Sequence, residues 1–120
     1  MARVLIVEDE QYIVSSLSFL LKRAGHEIHA VDDGRMAVGT VRQWDPDLVI
    51  LDIMLPGMTG FDVLQALRRD EEKSETKVMV LTAKGQEQDR KRMRDLRADE
   101  FCTKPFSNQD LVDRVSRLVS

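Results

Sequence analysis

Four short stretches of this 120-residue chain hold side chains that could do chemistry together. Glu8-Asp9-Glu10 follows the apolar run Val4 to Val7, Asp52 follows Leu48 to Leu51, Thr82 follows Val78 to Leu81, and Thr103-Lys104-Pro105 follows Phe101-Cys102. Gathered in one crevice, they would set carboxylates from Glu8-Asp9-Glu10 and Asp52 beside a hydroxyl and an ammonium. Carboxylates packed together repel one another, and a small hard divalent cation relieves the repulsion; Mg²⁺ takes one or two carboxylates plus waters and phosphate oxygens. Such a site suits phosphoryl chemistry. Asp52 could attack phosphorus to form an acyl phosphate, with the metal and Lys104 neutralising equatorial oxygens and Thr82 donating a hydrogen bond.

Each residue also has a plainer reading. Glu8, Asp9 and Glu10 suit the N-terminus of a helix, where acids are favoured. Asp52 before a Pro-Gly loop could be a turn acid, Thr82 a helix N-cap or strand-end hydroxyl, and Lys104-Pro105 a surface loop. Cys102 reads as a small strand residue. The chemical reading requires all of them at the ends of separate strands in the right order.

The elements that must do this positioning are legible. Val4 to Val7, Leu48 to Leu51 and Val78 to Leu81 are continuous apolar runs, the pattern of parallel strands covered on both faces. Ile28 to Val31 and Phe101-Cys102 are shorter and more polar, as sheet edges are. Between them lie helical patterns: Ile13, Leu17, Leu20, Leu21 and Ala24 ended by Gly25; Ala37, Val41 and Trp44 before Pro46; Phe61, Leu64 and Leu67; and Leu111, Val112, Val115, Leu118 and Val119. The fourth helix, Gln86 to Arg97, offers only Met93 and Leu96 as large apolar groups, so it is expected to be the least firmly held. Five alternations of strand and helix predict an α/β fold, a flavodoxin-like (βα)5 doubly wound sandwich. Its parallel five-stranded sheet has the order 2-1-3-4-5, with ligand chemistry at the C-terminal strand ends.

Composition bounds the rest. Hydrophobic residues at 42% and charged residues at 32% exclude a disordered chain or a disulfide scaffold, and the length implies a single domain over 1–120. Eighteen basic against 21 acidic residues give a net charge of −3, which argues against a general polyanion binder. No apolar run exceeds five residues and Cys102 is the lone cysteine, so a cytoplasmic protein in a reducing compartment is expected, with no membrane contact.

The segments Val4 to Glu10, Leu48 to Gly60 (LVILDIMLPGMTG), Val80 to Lys84 and Ala98 to Phe106 (ADEFCTKPF) closely resemble the receiver domain of two-component response regulators, and the likeness runs over about residues 2–119. The resemblance implies that Asp52 is the phosphoacceptor and that Glu8, Asp9, Asp52 and the backbone carbonyl of Met54 hold Mg²⁺. It makes Thr82 the switch hydroxyl, Lys104 the phosphate-binding lysine and Phe101 the aromatic switch residue, with a cis Lys104-Pro105 bond. The implied donor is a histidine kinase or phosphotransfer protein. The implied role is that of a signalling switch, not an enzyme, catalysing only its own phosphorylation and dephosphorylation and controlling an output domain or partner.

Three positions depart from the family pattern. Arg97 stands where glycine usually precedes Ala-Asp, so the end of helix four is expected to be capped differently. Phe101 lacks the hydroxyl of the commoner tyrosine, and the first metal pair is Glu-Asp.

Residues 84–97 carry six basic side chains (Lys84, Arg90, Lys91, Arg92, Arg94, Arg97) against three acidic ones (Glu87, Asp89, Asp95). Similarly placed charges cross a two-fold axis in receivers of winged-helix DNA-binding regulators. A phosphorylation-promoted homodimer is therefore expected through helix four, strand five and helix five, pairing Arg90 with Asp110 and Glu100 with Arg114, and no direct nucleic-acid contact by this domain. Three rival readings are weaker. A flavin would need aromatic residues on the loops after strands three and four, where Trp44 and Tyr12 do not fall. A nucleotide enzyme would need a glycine-rich phosphate loop that is missing from the sequence. A receiver-like interaction module that takes no phosphate would not need Asp9, Asp52, Thr82 and Lys104 together.

Overall fold

Apolar runs and helical patterns alternate along the chain as β1 (Arg3–Val7), α1 (Gln11–Arg23), β2 (Glu27–Val31), α2 (Gly34–Trp44), β3 (Leu48–Asp52), α3 (Gly60–Arg69), β4 (Lys77–Ala83), α4 (Glu87–Asp95), β5 (Glu100–Lys104) and α5 (Asn108–Val119). The structure is a computed structural model describing residues 2–83 and 87–120. Lys84, the end of the Val80 to Lys84 motif, and Gln86, the expected start of helix four, lie outside the described residues. All strand pairings are parallel and the order is β2-β1-β3-β4-β5, as the sequence predicts.

Strand parity divides the core into two layers. Val4, Ile6, Leu48, Ile50, Met79, Leu81 and Cys102 pack with Ile13, Leu17 and Leu21 of α1 and with Leu111 and Val115 of α5. Leu5, Val7, Val49, Leu51, Val78 and Val80 pack on the opposite face with Ala37, Val41, Val63, Leu64, Leu67 and Met93. Leu17 and Leu21 are fully buried, each stabilising by about 1.5–3 kcal/mol relative to exposure. All five residues of β3 are buried, which is why this strand reads as an unbroken apolar run ending in Asp52.

Local chemistry fixes the loops around the strand ends. Helix α3 starts at a capping box in which Thr59 and Asp62 satisfy each other's orphan amides. It presses directly on the end of β3: a Cβ on Gly60 would lie 2.5 Å from the Asp52 carbonyl oxygen, so only glycine fits. Gly57, at φ +78°, makes the turn before it.

Helix α4 is held as thinly as its composition predicts. Met93 is its only apolar residue and is fully buried. Polar contacts supply the rest: the Arg92 guanidinium lies 3.9 Å from the Phe61 ring centroid, and Arg90 Nη2 donates to Thr103 Oγ1 at 2.6 Å. The end of this helix differs from expectation. Arg97 takes the left-handed conformation itself, at φ +65°, with Ala98 N bonding to Met93 O and Arg97 N to Arg94 O. That is the cap a glycine would make, not a different one. The strained carbonyl of Arg97 accepts from Arg68 Nε and Nη2, which helps hold it there.

Candidate functional site

The parallel register brings the four strand ends together. Asp52 ends β3 beside Leu81 of β4, and Thr82 is paired with Thr103, one residue before Lys104. Glu8 is fully buried, Asp52 is 5% exposed and Thr82 is 2% exposed, although charged groups are almost never this buried without a partner. The partner is Lys104. Its Nζ lies 3.0 Å from Glu8 Oε1, 3.2 Å from Asp52 Oδ2 and 3.9 Å from Glu10 Oε1. Glu8 Oε2 accepts from the amides of Asp9 and Glu10, and Asp52 Oδ1 from the amide of Met54. The Lys104-Pro105 peptide that delivers the lysine is cis, as the resemblance implies.

Three carboxylates around one ammonium leave the pocket short of positive charge. Burial, then the hydrogen bond with Asp52, pushes the Glu8 carboxyl up to about 7 against the opposing hydrogen bond from Lys104. Burial draws the Lys104 ammonium down, but the Glu8 hydrogen bond and the Asp52 charge carry it above its ordinary value. Both shifts follow from burying more acidic than basic charge in one pocket.

The acidic trio differs in one member from the expected metal set. Oxygens of Glu8, Glu10 and Asp52 lie within 4.8 Å of one another, whereas Asp9 is exposed and outside that trio. The reason is local: Glu8 turns inward to Lys104 and folds its second oxygen over the following amides, and Glu10, the N-cap of α1, makes no side-chain cap, leaving its carboxylate near the pocket. Met54, whose carbonyl is the remaining expected ligand, is 66% exposed on the loop after β3. Oxygen donors in this number fit a hard divalent cation. Beside Lys104 a cavity of about 420 Å³ opens between α1 and the loop before α5, lined by Glu10, Tyr12, Ser16, Lys104 and Phe106 among others.

The expected switch and contact residues sit on the adjoining face. Phe101 is half-buried against the α2–α4 core layer, and its carbonyl accepts from Arg114 Nη1. Arg114 is also bonded to Glu100 at 3.2 Å and Asp110 at 3.0 Å within the same chain. The Glu100–Arg114 pair expected across an interface is thus made internally here, Asp110 is taken by Arg114, and Arg90 is bonded to Thr103.

Sequence reasoning passed over Arg68, whose side chain is 8% exposed and donates to the carbonyls of Ser74, Thr76 and Arg97 and to Asp99. Three of those acceptors are backbone atoms, which carry no residue-type signal.

Comparison with known proteins agrees with this geometry. The family model described as the response regulator receiver domain matches residues 4–116. The DNA-binding dual master transcriptional regulator RpaA of Synechocystis sp. is 40% identical over 99% of this chain, which spans about half (49%) of that protein's length. Among solved structures, the chemotaxis response regulator CheY4 of Vibrio cholerae is 30% identical at a TM-score of 0.91, covering 98% of both chains. The signal receiver domain of a histidine kinase from Syntrophus aciditrophicus is 31% identical at a TM-score of 0.92, covering 99% of this chain and 90% of its own.

Proposed function

Because the chain belongs to the response regulator receiver domain family, we propose that it accepts a phosphoryl group on Asp52 from the phosphohistidine of a histidine kinase or phosphotransfer protein, and that the acyl phosphate switches the face formed by α4, β5 and α5. One observation carries the reading: Lys104 reaches from the end of β5 to ion-pair with buried Glu8 and Asp52 at once. An Asp52 oxygen attacks phosphorus, the phosphorus–nitrogen bond breaks, and the imidazole leaves with its electron pair; attack by water later returns carboxylate and phosphate. Lys104 trades its Asp52 contact for a phosphoryl oxygen, and the Thr82 hydroxyl donates to another. Glu8, Asp9, Asp52 and the Met54 carbonyl, with Glu10 at hand, would hold Mg²⁺, which would supply neutralisation of phosphoryl charge.

The chain acts as a switch whose only chemistry is its own phosphorylation and dephosphorylation. Movement of Thr82 toward the phosphoryl group vacates space that Phe101 fills by packing alone, since it has no phenolic hydroxyl. The thin attachment of α4 supports this element as the one that responds. The likeness to RpaA supports an output in transcription, carried by a region outside this chain, and a cytoplasmic setting in which Cys102 stays reduced.

The test is incubation with a small phosphodonor and Mg²⁺, read by intact mass. One phosphoryl group is expected, and Asp52→Asn or chelation prevents it. Full labelling of Asp52→Asn would overturn the assignment, and a wild type that neither labels nor binds beryllofluoride would favour an interaction module that takes no phosphate.

A further inference from the structure

Gly34 opens α2 with an ordinary backbone: among the described residues, positive φ in a glycine is confined to Gly25 and Gly57. Alanine is ordinarily preferred at a helical position, so conformation does not account for this glycine. Contact does. A Cβ on Gly34 would lie 2.2 Å from the Met58 carbonyl oxygen and 2.9 Å from the Met58 Cβ, closer than such atoms approach, whereas Gly39 of the same helix would meet nothing within 4 Å. Asp33, the N-cap of α2, accepts from the Arg35 amide at 2.8 Å and from Arg35 Nη2 at 2.7 Å. This pair folds over Gly57, where a Cβ would meet Asp33 Oδ1 at 2.6 Å and Arg35 Nε at 2.7 Å. The start of α2 thus closes on two consecutive residues, Gly57 and Met58, in the middle of the loop that runs from Asp52 to Gly60.

That loop carries part of the site. The Met54 amide donates to Asp52 Oδ1 at 3.2 Å, and the far end of the loop is fixed where Gly60 presses on the Asp52 carbonyl. Behind the junction α2 is anchored by Ala37 and Val41, both fully buried, so a push at Gly34 is taken up by the loop. Resting on the reading of Asp52 and the Met54 carbonyl as Mg²⁺ ligands, we propose that Gly34 is a positioning residue for the metal: by letting the backbone of α2 meet the Met58 carbonyl, it sets the course of the loop and with it the Asp52 carboxylate and the Met54 carbonyl. Mg²⁺ demands near-ideal octahedral geometry, so a displaced loop costs affinity as well as packing.

Calorimetric titration of Mg²⁺ into the metal-free protein, with urea unfolding of the same samples, separates the two. Gly34→Ala should weaken Mg²⁺ binding by about tenfold, the low end for a group that orients a metal ligand. Gly39→Ala, the same change on the open side of the helix, should leave the affinity at the wild-type value. Should Gly34→Ala fail to fold, Arg35→Ala serves in its place: it removes a side chain that is 70% exposed, and a smaller loss of Mg²⁺ affinity is expected. A Gly34→Ala protein that is less stable in urea yet binds Mg²⁺ as wild type does overturns the proposal, since the junction would then be packing alone. An equal loss in Gly39→Ala overturns it too, as does, in the absence of folded Gly34→Ala, wild-type affinity in Arg35→Ala. A wild type that takes up no Mg²⁺ overturns the reading of the site as a metal centre, and this proposal with it.

Discussion

Glu8 has no exposure to solvent and shares one ammonium with Asp52, so its ionisation is costly. Its carboxyl is raised from 4.5 to about 7 by burial and by the hydrogen bond with Asp52. Between those values the unfolded chain has lost this proton while the folded chain keeps it. The contribution to stability is therefore full below 4.5 and falls away as pH rises through about 7. His26, whose imidazole burial holds below its ordinary value, works in the opposite sense over part of the window, so a difference between variants isolates Glu8. Denaturant unfolding of metal-free protein across this range should show Glu8→Gln gaining on wild type as pH rises. A difference that stays flat with pH would show that Glu8 ionises normally. The same residue explains why an acid, and not a neutral amide, serves the site: with a divalent cation present, the ionised form is the one that is stabilised.

At the scale of elements, α4 is mounted at its far end and lightly held along its length. Its only apolar anchor is Met93, and its final turn closes through Arg97 in a left-handed conformation that costs a non-glycine residue about 1–2 kcal/mol. Arg97→Gly should therefore stabilise the protein, by about 0.5–1 kcal/mol once the added freedom of the unfolded chain is subtracted. Arg68 binds this turn to the loop before β4 and to Asp99. Arg68→Ala leaves three carbonyls without their donor and a carboxylate without its cation, for an expected loss of about 2–4 kcal/mol. Urea midpoints of the two variants check both signs. If Arg97→Gly destabilised the fold, the Arg68 contacts would be holding Arg97 by its side-chain identity and not by its carbonyl.

For the molecule as a whole, metal binding and association are the measurable readouts. A cation at about 100 times its dissociation constant contributes about 2.7 kcal/mol, so Mg²⁺ should raise the melting temperature. Asp9→Ala should abolish the rise, whereas Glu10→Ala should only reduce it; an undiminished rise in Asp9→Ala would hand the ligand role to the Glu8, Glu10 and Asp52 trio. Association requires a change of partners, because Arg114 already holds Glu100 and Asp110 within the chain and Arg90 holds Thr103. Exposed ion pairs are worth about 0.2–1 kcal/mol each, so re-pairing them sets register while apolar contacts supply the drive. Sedimentation with and without beryllofluoride should show an activated dimer that Arg90→Glu weakens. A fully activated protein that remains monomeric at high micromolar concentration would point to a separate partner on the same face.

What the sequence determined by itself follows from periodicity. Strands buried on both faces must be continuously apolar, so Leu48 to Leu51 and its counterparts announce a parallel sheet, and the polar Ile28 to Val31 run announces its edge. Chemistry at the strand ends was equally legible, because Asp52, Thr82 and Lys104 follow directly on those runs. Tertiary structure alone decided which acids face inward: Glu8, Asp9 and Glu10 are consecutive and alike in type, and only the reach of Lys104 from a strand 96 residues away selects Glu8 and draws Glu10 in ahead of Asp9. It alone decided that Arg97 would adopt a glycine's conformation, since the carbonyl contacts from Arg68 that help to hold it come from a helix 29 residues earlier. Pattern records what each residue buries; it does not record which backbone atom a distant side chain will find.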